Sequence, residues 1–341
     1  MIESEGVDVD RLISSKKRDS KVFENKLRPS DFNEYVGQDD IKRNLDVAIK
    51  ASKKRKECLD HVLLHGAPGL GKTTLASIIA HEMGVNMKVT SGPALEKQGD
   101  VASIISNLQE NDILFIDEIH RLKPVVEEVL YTAMEDFGID IIIGKGPSAR
   151  NMRINLPKFT LIGATTKMSM LSSPLRARFG NIYKLNFYTE SDIKKIMLRS
   201  ADILGCKLDE AAANRLAQSS RLTPRVANRL LKRVRDYAEV HDADIVTEKI
   251  ANIALSDLGV DQLGLDDADR DILYTLIEKF NGGPVGLNTL AAATGEEQAT
   301  IEDIYEPFLI QLGFLERTSR GRLVTDRAYE HLEITAKGKL L

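Results

Sequence analysis

A short glycine-rich segment constrains the fold of this chain more than any other feature. Residues 66–73 read GAPGLGKT and match the pattern GxxxxGK followed by Ser or Thr. An apolar run at 61–65 precedes the segment, and a helical pattern at 74–80 follows it. A strand, a glycine-rich turn and a helix start in this order point backbone amides at phosphate oxygens. The sequence therefore predicts a phosphate-binding loop at the carboxyl edge of a parallel α/β sheet.

Each residue type in this loop has a chemical reason to be there. Gly69 and Gly71 permit turn geometries that a side chain would obstruct. We expect Lys72 to neutralise the β- and γ-phosphates of ATP, and the Thr73 hydroxyl to ligate Mg²⁺. The predicted nucleotide-binding residues of the loop are Gly66, Gly69, Gly71, Lys72, Thr73 and Thr74.

A second strand-like run ends in two adjacent carboxylates. Residues 112–118 read DILFIDE, so Asp117 and Glu118 follow a buried apolar run. Such strands often end in acidic residues only because they meet solvent there. The position of this run, about 45 residues beyond the phosphate loop, instead favours catalysis. We predict that Asp117 holds the Mg²⁺ shell and that Glu118 polarises the attacking water, which indicates hydrolysis rather than nucleotide storage.

Two further motifs complete a set that resembles the AAA+ class of ATPases. A third strand-like run at 159–166 ends in Thr166, where AAA+ proteins carry a residue that orients water near the γ-phosphate. A hydroxyl that only satisfies local backbone is the alternative. The segment SPLRARFG at 173–180 resembles the one that carries the AAA+ arginine finger. We predict Arg178 as the finger, with Arg176 as its rival. Because a finger reaches into a neighbouring subunit, this mechanism requires a ring or at least a dimer.

A well-marked helix start carries another arginine. Thr223 is a plausible N-cap and Pro224 occupies the favoured first position of the helix. Arg225 follows and resembles the arginine that contacts the γ-phosphate from the AAA+ lid domain. The alternative is an arginine on a solvated basic face, since the stretch at 215–235 is rich in basic residues.

The sequence divides into three domains between two tails. Alternating strand-like and helical patterns at 22–184 predict an α/β P-loop domain with a parallel sheet. A purely helical pattern at 185–256 predicts a lid domain. The order helix, helix, helix, hairpin at 257–336 predicts a winged helix. We expect 1–21 to be a flexible tail and 337–341 to be a short second tail.

Composition excludes several classes of protein. The net charge of −4 over 341 residues argues against a uniformly basic nucleic-acid binder, although it allows local basic surfaces. No apolar run approaches the ~20 residues that span a bilayer, and the N-terminus lacks the apolar core of a signal peptide. We therefore expect a cytoplasmic protein with no membrane partner.

The segments between the ATPase motifs resemble the RuvB family. The matching stretches are EYVGQ at 34–38, TSGPALEK at 90–97, residues 117–137, residues 223–240, GGPVGL at 282–287 and FLERTSRGR at 314–322. The resemblance covers essentially everything beyond the N-terminal tail. It implies a homohexameric ring on duplex DNA that uses ATP, ADP and Mg²⁺ to drive branch migration of four-way Holliday junctions in recombination, repair and the SOS response. It also implies nucleotide-side positions for Leu27, Arg28, Glu135, Asp136, Phe137 and Tyr188.

An insertion at about 139–156 reads as a β-hairpin. Apolar residues alternate on both sides of a turn-rich segment at 144–150, namely Ile139, Ile141, Ile143, Met152, Ile154 and Leu156. This apolar face could simply cover the core of its own domain. In the RuvB family the hairpin contacts the junction-binding partner RuvA, and the resemblance implies the same contact here, with the resolvase RuvC joining the resolving complex.

Three arginines cluster on the predicted wing of the C-terminal domain. Arg317, Arg320 and Arg322 flank a turn and could follow a DNA backbone, which would give salt-dependent binding without sequence preference. Arg317 and Arg322 match DNA-contacting positions of the family. Winged helices also serve as protein-binding modules. A clamp-loader-like switch and a protein unfoldase would share the ATPase motifs, but the winged domain argues against the first and the lack of an aromatic pore loop against the second.

Overall fold

The computed structural model describes residues 26–143 and 150–334. The predicted tails at 1–21 and 337–341, and the loop of the predicted hairpin at 144–149, lie outside the described residues. None of the helices in these ranges combines the length and the apolar composition that a membrane-spanning helix requires.

Strands and helices alternate first and helices dominate afterwards. The strands are β1 (Val62–His65), β2 (Met87–Ser91), β3 (Ile113–Asp117), β4 (Gly138–Ile143), β5 (Arg150–Asn155), β6 (Thr160–Thr165), β7 (Asn181–Lys184), β8 (Lys207–Leu208), β9 (Ile245–Val246), β10 (Leu315–Thr318) and β11 (Gly321–Val324). The helices are α1 (Asp39–Arg55), α2 (Lys72–Met83), α3 (Gln98–Ser106), α4 (Pro124–Asp136), α5 (Ser173–Ala177), α6 (Glu190–Ile203), α7 (Glu210–Gln218), α8 (Pro224–Val240), α9 (Glu248–Asp257), α10 (Asp267–Tyr274), α11 (Leu287–Thr294), α12 (Gln298–Thr300), α13 (Glu306–Gln311) and α14 (Asp326–His331). A π-helical turn at Thr275–Lys279 extends α10, and another at Ile301–Tyr305 joins α12 to α13.

A five-stranded parallel sheet forms the centre of the first domain. Its strand order is β2-β3-β6-β1-β7. Successive residues of a strand point to opposite faces of a sheet. Leu63 and Leu114 accordingly pack into one apolar cluster, whereas Leu64 and Phe115 pack into a second cluster. Both faces of the sheet are covered, which is why these strands are continuous apolar runs in the sequence. The predicted parallel α/β domain is confirmed.

The predicted hairpin is present as the antiparallel pair β4–β5, in which Ile139 faces Ile154 and Ile141 faces Met152. The pair forms its own two-stranded sheet, separate from the five-stranded one. Ile139 and Leu156 are buried in a core cluster of the domain, whereas 46% of Met152 is exposed. The base of the hairpin is therefore anchored in the domain, and Met152 presents apolar surface to solvent.

The second and third domains have the predicted lid and winged-helix architectures. Helices α6 to α9 pack together around the short parallel pair β8–β9 and form the lid. Helices α10 to α14 enclose a separate apolar cluster. The antiparallel pair β10–β11 supplies the wing, and a bridge between Val285 and Arg322 adds a third extended segment to it.

A buried arginine joins the lid to the winged helix. Arg221 precedes α8 and donates hydrogen bonds to Asp266, to Asp269 at 2.5 Å and to the Gly264 carbonyl oxygen at 3.2 Å. Its guanidinium also lies over the Phe308 ring, 5.1 Å from the centroid. Asp269 is fully buried, and burial raises the pKa of its carboxyl to about 7 although Arg221 lowers it. The attraction to Arg221 thus offsets only part of the cost of burying this carboxyl group.

We expect Arg221→Met to lower the free energy of unfolding by about 3–5 kcal/mol, because it leaves the Asp269 carboxylate buried without its partner. The measurement is the midpoint shift in urea unfolding, followed by circular dichroism. In the matched control, Arg221→Met combined with Asp269→Asn should recover most of the loss, because no unpaired buried charge remains. Equal loss in the single and double variants would show that the arginine stabilises the protein only through packing.

Candidate nucleotide-binding and catalytic site

The phosphate loop between β1 and α2 depends on glycine at specific positions. Gly66 and Gly69 have φ angles of 145° and 82°. A Cβ atom on Gly66 would lie 2.6 Å from the Leu185 carbonyl oxygen, and one on Gly69 would lie 3.2 Å from the Arg225 Cβ. Helix α2 begins at Lys72 without a side-chain cap. Its first backbone amides are therefore free to receive an anion.

Lys72 is a buried cation inside this loop. Its ammonium group donates to the Gly66 carbonyl oxygen at 2.8 Å and to the Ala67 carbonyl oxygen at 2.9 Å. Burial lowers the pKa of Lys72 to about 8, while Asp117 raises that pKa and Arg225 lowers it further. Burial deprives the ammonium group of hydration, and an anionic ligand in the loop would stabilise its charge instead.

A cavity of about 560 Å³ lies above the loop, between the sheet domain and the lid. This volume is in the range of small-molecule sites, roughly 300–1,000 Å³. Most of the predicted nucleotide-site residues line the cavity, namely Leu27, Arg28, Gly69, Gly71, Lys72, Thr73, Thr74, Asp117, Glu118, Thr166, Tyr188 and Arg225. Gly66 contributes through the carbonyl oxygen that receives the Lys72 ammonium. The fold therefore gathers residues from β3, β6, α2 and α8 around one volume.

The acidic pair lies at the carboxyl end of β3. Asp117 Oδ1 accepts a hydrogen bond from the Glu118 backbone N–H at 2.9 Å. Glu118 has a left-handed backbone with φ 47°, a conformation that costs free energy in a residue with a Cβ atom. Its carboxylate pairs with Arg121 at 2.9 Å, and both side chains are about half exposed. Glu118 is thus held in a strained turn at the cavity wall, which suits a catalytic role. To act on a water in the cavity, its carboxylate has to leave Arg121.

The end of β6 is tied to the acidic loop by a histidine that the sequence did not predict. His120 Nδ1 lies 3.0 Å from the buried Thr165 hydroxyl, which also accepts from the Lys167 backbone N–H at 3.0 Å. Burial lowers the pKa of His120. Thr166, between these residues, is exposed in the cavity. The hydroxyl of Thr165, not that of Thr166, is the one that satisfies local backbone.

The far end of the cavity is aromatic. The Tyr188 hydroxyl lies 3.1 Å from the Tyr35 hydroxyl and 3.2 Å from the Leu70 carbonyl oxygen. Arg199 donates to the Leu27 carbonyl oxygen at 2.9 Å and thereby fixes the chain segment that enters the cavity. Tyr35 and Arg199 also line the cavity and were not predicted. Tyr35 lies within the EYVGQ stretch, so its place in the site could have been considered from the sequence.

Four predicted residues do not reach the cavity of their own chain. Arg178 donates to Glu135 at 3.0 Å and to the Pro174 carbonyl oxygen at 2.8 Å. Its guanidinium lies 4.5 Å from the centroid of the Tyr131 ring. Asp136 pairs with Arg153 at 3.2 Å on the hairpin. A nucleotide contact by these residues therefore requires the cavity of another subunit.

Phe137 is the fourth of these residues and lies at the opposite edge of the sheet. Its ring packs against Phe159 and His61, with centroid separations of 6.0 and 6.4 Å. Phe159 precedes β6 and His61 precedes β1, whereas the cavity lies at the carboxyl ends of these strands. Glu135, Asp136 and Phe137 do not line the cavity of their own chain, and their contact with a nucleotide stays a prediction.

Titration of Lys72 predicts pH-dependent nucleotide affinity. Phosphates raise the pKa of a nearby ammonium, so binding takes up a proton whenever the pH exceeds the pKa of about 8 in the free protein. Affinity therefore falls as pH rises, and we expect the Kd for ADP to increase about tenfold from pH 7 to pH 9. Isothermal titration calorimetry at several pH values measures this change. The control is Lys72→Arg, whose guanidinium stays protonated, so a similar pH dependence in that variant would contradict the assignment.

The predicted wing carries two exposed arginines and one buried arginine. Arg320 is exposed, and the side chain of Arg317 is 57% exposed. Arg322 is only 7% exposed and pairs with Glu306 at 2.8 Å. The guanidinium of Arg322 is therefore paired inside the domain in this conformation, and its contact with a DNA backbone stays a prediction. Nothing in the spacing of the three arginines distinguished it from the other two.

Comparisons with known proteins agree across the described residues. Three protein-family models match the sequence. Residues 27–185 match the Holliday junction DNA helicase RuvB P-loop domain, and residues 188–261 match the RuvB AAA lid domain. Residues 262–333 match the RuvB C-terminal winged helix domain. The sequence placed the corresponding divisions after 184 and after 256. The three models follow one another in the order of the domains described above.

Individual relatives give the same result at high identity. The Holliday junction branch migration complex subunit RuvB of Dehalococcoides mccartyi is 59% identical over 95% of this chain and 93% of its own. The subunit of the same name from Fusobacterium nucleatum is 54% identical over 95% of this chain and 98% of its own. The solved structure of the Thermotoga maritima RuvB Holliday junction branch migration motor is 51% identical, covers 91% of this chain and 99% of its own, and superposes with a TM-score of 0.84. With three consecutive domain models and these relatives matched along nearly its whole length, this chain belongs to the RuvB family of AAA+ ATPases.

Proposed function

We propose that this chain is an ATP-driven motor that moves Holliday junctions along DNA during recombination and repair. The observation that carries this proposal is the cavity between the sheet domain and the lid. Lys72 and the acidic pair reach it from one side, and Arg225 reaches it from the other. A nucleotide held by both sides fixes their relative position, so loss of the γ-phosphate would release Arg225 and move the lid.

Hydrolysis follows from the residues at the carboxyl edge of the sheet. Glu118 accepts a proton from the attacking water, and the Thr166 hydroxyl orients that water toward the γ-phosphate. Lys72 and Arg225 hold the γ-phosphate from opposite sides. These roles place the reacting water at the end of β3 and β6, where the acidic turn and the exposed threonine meet the cavity.

The oxygen donors of the cavity fit a magnesium ion shared with the nucleotide. Thr73 and Asp117 both line the cavity, and the described residues contain no cluster of three or more metal-ligating side chains. Mg²⁺ prefers oxygen ligands and usually takes only one or two from the protein when phosphates supply others. When bound there, Mg²⁺ would neutralise charge on the phosphate oxygens.

The geometry of the finger supports a ring of identical subunits. Arg178 lies outside the cavity of its own chain and is held near the surface by Glu135 and the Tyr131 ring. An arginine placed in this way does not reach the nucleotide cavity of its own chain and is available to that of a neighbouring subunit. We assign it to that role in a homohexamer, with Glu135, Asp136 and Phe137 on the same side of the subunit interface.

The wing rather than the preceding helix contacts duplex DNA. The partly exposed carboxylates of Glu302 and Asp303 lie before the wing and would repel phosphates, whereas Arg317 and Arg320 are exposed on the wing. Contacts to phosphates position a protein without reading the sequence, which suits a motor that moves along DNA.

The partners follow from the hairpin and from the relatives. The hairpin β4–β5 stands apart from the main sheet and exposes Met152, so it offers an apolar contact for RuvA. The relatives of this chain are named subunits of a branch migration complex. We include RuvC as the resolvase that joins this complex. Action on chromosomal junctions places the protein in the cytoplasm.

The proposed wing contact predicts a change in salt dependence. We expect duplex DNA to stimulate ATP hydrolysis, and Arg320→Ala to weaken DNA binding equally for unrelated sequences. The slope of log Kd against log salt concentration should fall by about one, because one phosphate contact is lost. Fluorescence anisotropy over a salt series measures the slope.

The control for this measurement is Arg55→Ala, which removes an exposed arginine that pairs with Glu57 in the first domain. This variant should keep the original salt slope. Equal slopes for the Arg320 variant and the unmodified chain, or a strong sequence preference, would contradict binding through the wing.

A further inference from the structure

One lysine links the catalytic edge of the sheet to the winged helix. Lys167 directly follows Thr166, and its ammonium group lies 3.0 Å from Asp303 and 3.7 Å from Glu302. Both carboxylates belong to the π-helical turn before the wing. The side chains are partly buried, with 24% of Lys167 and 33% of each acid exposed. This contact crosses from the first domain to the third.

Glu302 is shared between this lysine and the wing. Arg317 on β10 donates to Glu302 at 3.1 Å. Two positive charges therefore lie at one carboxylate, that of Lys167 from the first domain and that of Arg317 from the wing. If a DNA phosphate draws Arg317 away, Glu302 keeps Lys167 as its partner and that pair becomes stronger, because a competing cation has left.

The winged helix is thus held in two different ways. Arg221 attaches it to the lid through the fully buried Asp269, a contact that is costly to break. Lys167 attaches it to the sheet domain through partly exposed pairs, which are individually weak and can open. When the lid moves relative to the sheet domain, the Lys167 contact is the one that must change.

The position of Lys167 ties this contact to the nucleotide site. Its backbone N–H donates to the Thr165 hydroxyl, which in turn lies beside His120 in the acidic loop. Thr166, one residue earlier, lines the cavity. A shift of the end of β6 therefore moves the Lys167 backbone directly.

We propose that Lys167 is a positioning residue that docks the winged helix on the sheet domain through Asp303 and Glu302, and so couples DNA binding at Arg317 to ATP hydrolysis. The proposal rests on the wing contact with DNA proposed above. DNA binding tightens the docked state, and by reciprocity the docked state favours DNA binding. Lys167 is not among the residues that line the cavity, so we expect it to act on hydrolysis only through DNA.

A charge swap tests this proposal. We measure ATP hydrolysis with and without duplex DNA for Lys167→Asp, Asp303→Lys and the double variant. Each single variant places like charges together and should reduce the stimulation by DNA at least about fivefold, with unchanged hydrolysis in the absence of DNA. The double variant restores an opposite-charge pair and should recover stimulation to within about twofold of the unmodified chain.

Asp303→Lys separates docking from a general charge effect. It adds positive charge near the wing, so an effect of net charge alone would raise DNA binding and stimulation, whereas loss of docking lowers stimulation. The control is Lys50→Asp, because Lys50 lies on α1 in an exposed pair with Asp46 at 2.6 Å, far in sequence from the wing and from the cavity residues of β3 and β6. This variant should keep full stimulation.

Three results would overturn the proposal. Full stimulation in both single variants would show that the pair has no role, and increased stimulation in Asp303→Lys would show a net-charge effect. Failure of the double variant to exceed the weaker single variant, at equal melting temperature, would exclude pairwise docking. If the unmodified chain itself shows no stimulation by DNA, the proposed wing contact fails first and the coupling fails with it.

Discussion

Replacing Glu118 by Gln is expected to reduce steady-state ATP hydrolysis by about 10²- to 10⁴-fold, while ATP still binds. The amide keeps the shape of the side chain but cannot accept a proton from the attacking water. Lys72, Thr73 and Arg225 remain in place, so the affinity for ATP should change by less than about threefold, well below the 1.4 kcal/mol that corresponds to a factor of ten. A coupled phosphate-release assay and nucleotide titration measure the two quantities on the same preparation.

A matched control for this variant is Glu96→Gln. Glu96 lies in the same domain, and its carboxylate forms an exposed pair with Lys123 at 3.8 Å. Its replacement should leave hydrolysis and binding unchanged. Full hydrolysis in the Glu118 variant would remove the general-base assignment, and equal loss of ATP binding would show that Glu118 supports the cavity rather than the reaction.

Replacing Arg178 by Ala is expected to lower hydrolysis by about 10³-fold or more, because a finger arginine stabilises charge on the transferring phosphoryl group. The effect should come from the neighbouring subunit, since Arg178 points away from the cavity of its own chain. The Glu135 pair and the Tyr131 ring hold it within reach of a subunit interface. Arg176 is exposed on the same turn, and Arg176→Ala is the comparison that separates the two arginines.

Mixing experiments test whether the finger acts between subunits. Lys72→Ala has a defective cavity and an intact finger, whereas Arg178→Ala has an intact cavity and no finger. Neither variant should hydrolyse ATP alone, but a mixture should recover activity at interfaces that combine the intact cavity with the intact finger. A mixture as inactive as its components would contradict action in trans. A larger loss in Arg176→Ala than in Arg178→Ala would instead contradict the choice of Arg178 as the finger.

Local chemistry explains why much of the site could be predicted from the sequence. The phosphate loop needs glycine, lysine and threonine at fixed spacing, because backbone amides and two side chains must converge on one anion. The acidic pair is recognisable because it ends a buried strand. The cavity brings these residues together with Arg225 from the lid. Arg225 could be predicted because the start of its helix is as clear in the sequence as the phosphate loop.

Tertiary placement explains what could not be predicted. The strand order β2-β3-β6-β1-β7 depends on long-range pairing that no local pattern specifies. Arg322 resembles Arg317 and Arg320 in sequence and pairs with Arg317 across the hairpin, yet its guanidinium is buried against Glu306, whereas that of Arg317 is largely exposed. Phe137 follows α4 beside two acidic residues, but the fold carries its ring to the opposite edge of the sheet.

The most direct test of the account is the dissociation of a labelled synthetic four-way junction with ATP and Mg²⁺, in the presence and absence of RuvA. We expect ATP-dependent movement of the junction that RuvA enhances and that is lost in Lys72→Ala. ATP hydrolysis without any junction movement, under all of these conditions, would contradict the motor function and leave only the ATPase site.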